Sequence, residues 1–280
     1  MPVESSMLRD FLVKLEDDTL ILPTLPDVAI EIQSVVNRPS SSLKQVVAVV
    51  CKDTAISARI IKVANSAMFY RGSAANSLMT AVTRIGLTQI QSLVISAAAE
   101  QLFISSNEIV GELLDDIWER SVDVTSAACA LLLIYKKEHP HFRINLDTLS
   151  LAGLVYNIGA LPLLMEAENR SDQISDIDTL QLIIEKLQTP VGVALLKHWE
   201  FSEDIIEVVE HWHDLEYQSD DVTCVDFVRA AAIYTKNLKI NDKTSNHMAI
   251  LRQKGLPLDN EELASSEFLA QYRSIKQSYE

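Results

Sequence analysis

The chain has 280 residues, of which 48% are hydrophobic and 22% are charged, and its formal net charge at pH 7 is −15. That length and apolar fraction can bury a genuine core, so the chain should fold without disulfide or metal staples. The acidic charge opposes binding to nucleic acid and to anionic membranes, since both depend on Lys and Arg. Only seven glycines are present, which favours an all-α protein over a turn-rich sandwich or barrel.

Short helices with polar caps are predicted for the first hundred residues. One apolar stripe follows the serines at 40–42, which offer N-cap hydroxyls. A second stripe follows Asp53 or Thr54, a third ends at Gly86, and Thr88 can cap a fourth. The stripes share the i, i+3, i+4 spacing of amphipathic helices, at Leu43, Val46, Val47, Val50, Ile56, Ile60, Val63, Ala67, Leu78, Ala81, Val82, Ile85, Ile90, Leu93, Val94 and Ala97.

A second lobe is predicted after the polar stretch Ser105–Glu108. One long helix carries the apolar positions from Trp118 to Leu132, and Asp147 can cap the next. Thr189–Pro190 has the pattern of an N-cap followed by a proline in the first turn, so we expect a helix to begin there. Ser202 should open another helix.

The remainder of the chain divides into a leading extension, residues 1–21, and a trailing segment, residues 239–280. The trailing segment is polar until an amphipathic stretch around Leu263 to Ile275. Such a helix either packs on the body of the protein or binds a partner, and packing is the commoner outcome.

Cysteine usage and hydropathy favour a cytoplasmic protein. Cys51, Cys129 and Cys224 are odd in number and far apart in apolar surroundings, which suits reduced core thiols. The first residues lack a signal-peptide pattern, and the most apolar run, Ala127 to Tyr135, is too short to span a bilayer. We therefore expect a soluble protein with no membrane association.

A set of residues spread from Leu22 to Leu238 resembles the HDOD family, bacterial signalling domains related to the HD phosphohydrolases. The resemblance implies a first helical lobe at about 22–106 and a second, HD-phosphohydrolase-like lobe at about 107–238. It rests on Leu25, Pro26, Asp53, Ala58, Arg59, Ile60, Ile61, Ala64, Asn65, Ser66, Phe69, Ala81, Val82, Ile85, Gly86, Leu87, Leu93, Trp118, Ser121, Gly153, Leu154, Ile158, Gly159, Glu185, Gly192, Leu195, Leu196, Trp199 and His211.

The resemblance places the HD metal ligands at positions where this chain has other residues. The first His of the HD pattern falls on Ser121, and the His-Asp pair falls on Tyr156 and Asn157. A downstream His falls near Gln188, and the last Asp falls in a stretch without acids. His211 is then the retained position, and one imidazole is not a metal site.

These replacements agree with one another physically. A buried Asp without its metal would be an uncompensated charge, and Asn157 is its neutral isostere. The hydroxyl of Tyr156 is able to bond the Asn157 amide where the ion would lie; alternatively, the two residues simply pack and cap. Either way we predict no cofactor, no metal and no catalytic residue, so that the chain is a pseudoenzyme.

The first lobe carries a candidate partner or ligand surface around the end of one helix. Arginine and aromatic residues are favoured at interface centres. The structural alternative is a turn, a core aromatic and an arginine paired with an acid. The residues of this surface are Arg59, Asn65, Ser66, Phe69, Tyr70 and Arg71.

The leading functional hypothesis is a non-catalytic signal-transduction module that acts through protein partners or a small ligand. One alternative is a metal-dependent phosphohydrolase or phosphodiesterase with substitute ligands. A second alternative is a non-catalytic receptor for a nucleotide second messenger. The sequence after His211 lacks the Gly-Tyr-Pro signature of related cyclic dinucleotide phosphodiesterases, so that activity is not assigned.

Overall fold

The computed structural model describes residues 9–14, 17, 19–38, 41–66, 69, 72–169, 177–239 and 241–279. These residues form helices and no strand, so the predicted all-α class is confirmed. The helices are α1 (9–14), α2 (Asp27–Val36), α3 (Leu43–Val50), α4 (Thr54–Ala64), α5 (Leu78–Ile85), α6 (Leu87–Glu100), α7 (Glu108–Glu138), α8 (Leu146–Val155), α9 (Ala160–Glu168), α10 (Ile177–His198), α11 (Glu203–His211), α12 (Cys224–Tyr234), α13 (Asp242–Gln253), α14 (Asn260–Leu263) and α15 (Ser266–Lys276).

The helices α1 to α6 are short, and several of them begin at side-chain caps. Ser42 forms a capping box with Gln45 at the start of α3, and Asp53 accepts a hydrogen bond from the Ile56 amide at the start of α4. Gly86, at φ 99°, ends α5 and directly precedes α6. The prediction that Thr88 caps α6 is therefore wrong, because a left-handed glycine lets the chain turn into the new helix without a polar cap.

The described helices that follow are organised around the 31-residue helix α7, which packs against α8, α12 and α15. The prediction that Pro190 opens a helix is wrong, since it lies inside α10. Leu187 and Val191 are buried on either side of it, so tertiary packing holds the helix together. Pro190 itself is exposed, and the Lys186 carbonyl that loses its donor can be satisfied by water.

Two glycines allow α9 and α10 to approach at backbone distance. A Cβ atom on Gly159, the residue before α9, would lie 1.8 Å from the Gln188 carbonyl oxygen and 2.5 Å from the Gly192 nitrogen. Neither neighbour is a flexible side chain, so only glycine fits at position 159. This contact fixes Gln188 relative to Asn157, which lies two residues before Gly159.

The trailing helix α15 packs along α7, as its amphipathic pattern favours. Phe268 and Ile275 are buried, and the Tyr272 hydroxyl donates to Asp123 Oδ1 at 2.9 Å. Beyond the helix, Tyr279 is 8% exposed, and its hydroxyl bonds Ser150 of α8. This segment therefore belongs to the folded body.

One apolar segment is longer than the run noted in the sequence. Residues Leu146–Glu168 have the length and hydropathy of a membrane span, yet 83% of that apolar window is buried in the fold, as in the core helices of water-soluble proteins.

Cys129 and Cys224 are buried free thiols, but Cys51 is exposed. The expectation of a core thiol is wrong at Cys51, because it caps the end of α3 on the protein surface.

Thr125 on α7 offers a stabilising substitution. The residue is fully buried against Gly153, and its hydroxyl has no hydrogen-bond partner among the described residues. We expect Thr125→Val to raise the free energy of unfolding by about 1 kcal/mol, because it removes an unsatisfied polar group without changing side-chain volume. Denaturant unfolding measures the change. Thr235→Val, which deletes a hydroxyl that bonds the Ala231 carbonyl, should instead lower stability; equal losses in both variants would refute the assignment.

Candidate functional site

Three positions that the resemblance to the HD pattern picks out, Ser121, Tyr156 and Asn157, lie where α7 passes the end of α8. The Ser121 hydroxyl lies 2.8 Å from Asn157 Oδ1 and 2.9 Å from the Ile117 carbonyl oxygen, and its one proton is shared between these acceptors. The Asn157 amide donates to the same Ile117 carbonyl at 3.4 Å. Ser121 is fully buried and Asn157 is 6% exposed. A closed network of uncharged groups therefore joins two of the predicted positions.

Tyr156 lies beside this network and takes no part in it. The expected bond from its hydroxyl to the Asn157 amide is absent, because the shorter Ser121 side chain on α7 reaches the amide instead. The Tyr156 ring is 2% exposed and meets Trp212 edge-on, with 4.7 Å between ring centroids. Burial raises the pKa of the phenol, so the group stays neutral.

A cavity of about 530 Å³ opens above these residues. Its walls come from α7, α10, the segment after α11 and the connection between α12 and α13. The buried floor consists of Leu113, Ile117, Tyr156, Asn157, Trp212 and Thr244. The outer lining includes Asp116, Arg120, Gln181, Glu185, Gln188, His213, Asn237, Lys239 and Asn241.

His213 rather than His211 lines this cavity. The His211 ring stacks on Tyr217, with 3.7 Å between centroids, and its Nε2 atom lies 3.9 Å from Glu210. The resemblance gave His211 as the retained ligand position, but the His211 ring packs on Tyr217 and the residue does not line the cavity. Gln188 does line the cavity, as predicted.

Arg229 supports the site from α12, and the sequence did not predict this role. It is 1% exposed, and its guanidinium donates to the carbonyls of four residues in the segment 211–217. The distances are 2.6 Å to His211, 2.7 Å to Asp214, 3.2 Å to Tyr217 and 3.3 Å to Trp212. These bonds hold Trp212 and His213 at the cavity. An arginine in the apolar run Cys224–Tyr234 was the available signal.

His247 of α13 completes the Arg229 environment. Its Nε2 lies 2.9 Å from Arg229 Nη1, and since arginine has no acceptor, Nε2 must accept and the imidazole must be neutral. Burial and the Arg229 charge lower the pKa of His247 to about 4. Asp226 and Lys254 also face it, and they pair with each other at 3.0 Å.

His247 gives the fold an acid sensitivity that a variant can isolate. The pKa of His247 is lower in the folded chain than the ordinary value of 6.5. Its contribution to the free energy of unfolding is therefore fully present above pH 6.5 and is lost as pH falls towards 4. We expect it to account for about 2 kcal/mol of the stability lost between pH 7 and pH 5. In His247→Gln, whose side-chain oxygen still accepts from Arg229, unfolding curves should lose this component. The same pH slope in both proteins would contradict the assignment.

The donor groups at the HD positions do not fit a divalent cation. They are a hydroxyl at Ser121, a neutral phenol at Tyr156 and carboxamides at Asn157 and Gln188. Transition metals in such sites are held by imidazole, thiolate and carboxylate ligands. Across the described residues, no group of three or more His, Cys, Asp or Glu side chains is placed to hold a metal.

In the first-lobe candidate surface, three residues are engaged within the chain. Arg59 pairs with Glu100 and lies over the Tyr279 ring, with 5.4 Å from the guanidinium carbon to the ring centroid. The Asn65 amide bonds the backbone of Ala75 in both directions, at 2.7 and 3.1 Å. Phe69 packs against the core, and Ser66 is half-buried in the bend after α4. This geometry favours the structural alternative; Tyr70 and Arg71 lie outside the described residues.

Comparisons with known proteins agree with this architecture. One solved structure is that of a Shewanella amazonensis protein, named provisionally as a metal-dependent phosphohydrolase. It is 53% identical to this chain over the full length of both chains, with a TM-score of 0.94. An HDOD domain protein of unknown function from Geobacter sulfurreducens is 21% identical, covers 97% of this chain and 95% of its own, and has a TM-score of 0.65, which shows the fold.

A third structure and a curated relative are more distant. The structure, provisionally named a signal transduction protein of Marinobacter aquaeolei, is 18% identical, with a TM-score of 0.60 over 97% of this chain and 65% of that one. An uncharacterized protein of Treponema pallidum is 24% identical over 71% of this chain, a match that spans 39% of its own length. The HDOD domain model matches residues 22–215. The chain therefore belongs to the HDOD family.

Proposed function

We propose that this HDOD protein is a non-catalytic regulatory module of a cytoplasmic signalling pathway, which acts through contacts with a protein partner or a small ligand. The observation that carries the proposal is the hydrogen bond between Ser121 and Asn157. Where an HD phosphohydrolase needs metal ligands, this chain has a satisfied, uncharged network.

The HD reaction would require a cation that lowers the pKa of a bound water and polarises a phosphoryl oxygen. Asn157 and Gln188 offer only amide oxygens, and the phenol of Tyr156 is kept neutral by burial. The cavity keeps its shape all the same, because the glycine contact between α9 and α10 and the Arg229 bonds fix its walls. A rigid cavity without catalytic groups suits recognition.

A turnover assay tests the proposal. The purified chain is incubated with bis-p-nitrophenyl phosphate and with p-nitrophenyl phosphate, in chelator and then with added manganese, iron, zinc or nickel. We expect no hydrolysis above the buffer rate under any condition.

The enzyme alternative makes the opposite prediction. It requires metal-dependent turnover that is abolished in His211→Ala, the position retained from the HD pattern. His198→Ala, which replaces an exposed histidine on α10, is the matched control and should not change any observed rate. Turnover that depends on both metal and His211 would overturn the proposal.

A further inference from the structure

The cavity floor carries two hydrogen-bond donors that the protein itself does not use. Tyr156 and Trp212 are 2% and 7% exposed, and both line the cavity. Neither the Tyr156 hydroxyl nor the Trp212 indole N–H bonds any described residue. Among the described residues, the fully buried side-chain polar atoms that have no hydrogen-bond partner are Thr125 Oγ1, Thr223 Oγ1 and His247 Nδ1. The two floor donors are not among them, so each keeps some accessible surface, and both residues line the cavity.

Buried donors of this kind imply an acceptor from outside the chain. A buried polar group without a hydrogen bond costs free energy that a bound ligand can recover. Next to the floor, the Gln188 amide offers one acceptor and two donors without a described partner. Together these groups match a flat molecule that has acceptors on one edge and mixed donors and acceptors on another.

The charges of the lining argue against a phosphorylated ligand. Asp116 and Glu185 balance Arg120 and Lys239, and Arg120 already pairs with Asp116 at 2.5 Å. Lys239 is therefore the cation of the described lining that could pair with a phosphate. The net charge of −15 on the chain would also repel the phosphate. Phosphate recognition depends on several such cations or on arginine forks, and the described lining does not supply them.

We propose that this cavity binds an uncharged heteroaromatic molecule with carbonyl or ring-nitrogen acceptors, the chemistry of a nucleobase or nucleoside. The proposal rests on the regulatory function proposed above and names the ligand class for that same site. The aromatic pair Tyr156 and Trp212 supplies the apolar contact, and their open donors supply the selectivity. The volume of about 530 Å³ lies within the range of small-molecule sites.

Titration calorimetry on the full chain tests the ligand class with four probes. Hypoxanthine and inosine are uncharged and rich in acceptors, inosine monophosphate adds a phosphate, and indole is flat but has no acceptor. We expect saturable binding of hypoxanthine or inosine, no gain in affinity from the phosphate, and no saturable binding of indole.

Tyr156→Phe deletes only the hydroxyl. Because that hydroxyl makes no bond within the chain, the variant should keep or slightly raise its melting temperature, while its affinity for hypoxanthine or inosine falls about three- to tenfold, the cost of one lost hydrogen bond. Tyr234→Phe, on α12 and outside the cavity lining, is the matched control and should bind like the native chain.

Four results would overturn the inference. They are the absence of saturable heat with hypoxanthine and inosine at millimolar concentration, tighter salt-dependent binding of the monophosphate, equal binding of indole, and unchanged affinity in Tyr156→Phe. None of them bears on catalysis. Metal-dependent hydrolysis would refute the proposed function separately, so the two failures are distinguishable.

Discussion

Gly159→Ala should lower the free energy of unfolding by about 4 kcal/mol, a large fraction of the stability of a typical folded protein. The added Cβ would lie 1.8 Å from the Gln188 carbonyl oxygen and 2.5 Å from the Gly192 nitrogen. Both are backbone atoms inside a helix, so α9 and α10 must separate and their buried faces must lose contact. Overpacking that must displace backbone is among the few mechanisms that produce losses of this size. Urea unfolding followed by circular dichroism measures the effect.

Gly111→Ala is the matched control for this change. Gly111 lies in α7, where the nearest atom to an added Cβ is the Ser105 carbonyl oxygen at 3.9 Å. Because alanine has the higher helix propensity, this variant should be neutral or more stable by up to about 1 kcal/mol. A Gly159→Ala protein as stable as Gly111→Ala would show that the two helices do not meet at backbone distance.

Asn157→Asp should cost about 3 kcal/mol of stability at pH 7.5, because it places a carboxylate in a buried uncharged network. The Asn157 amide now donates to the Ile117 carbonyl, and a carboxylate has no proton to give. Burial will raise the pKa of the new carboxyl above its unfolded value of about 3.9. The variant should therefore approach native stability at pH 4 and lose it as pH rises through the folded pKa.

Melting temperatures at pH 4 and pH 7.5, with and without manganese, measure this change. Asn246→Asp, at an exposed position of α13, is the matched control and should shift stability by less than about 0.5 kcal/mol at either pH. We expect added metal to leave Asn157→Asp unstable at pH 7.5. A variant that manganese restores would reveal a latent cation site and would contradict the donor chemistry described above.

Helical periodicity predicted most of the fold because each amphipathic stripe is a local property of the chain. The caps at Ser42 and Asp53 were readable for the same reason. The error at Pro190 has a tertiary cause, since apolar contacts on both sides of the proline outweigh its local preference to begin a helix. The approach of α9 to α10 was also hidden, because a glycine in a sequence does not show what packs against it.

The sequence predicted part of the candidate site but not its bonds. The resemblance to the HD pattern brought Ser121, Tyr156 and Asn157 together, and the structure places them together. Which hydroxyl reaches the amide depends on the separation of α7 and α8, which the sequence does not contain. His213 rather than His211 lines the cavity because Arg229 holds the segment 211–217 in place. Those hydrogen bonds join residues that are not neighbours in the sequence.

Metal stoichiometry shows whether the residues around Ser121, Tyr156 and Asn157 hold a cation. The purified chain is incubated with excess manganese, iron, zinc or nickel, desalted, and analysed by inductively coupled plasma mass spectrometry together with its melting temperature. We predict less than about 0.1 bound ion per chain and no metal-dependent rise in melting temperature, since a ligand that binds the native state must raise it. One retained ion per chain, with a stabilisation that Asn157→Ala abolishes, would contradict the account.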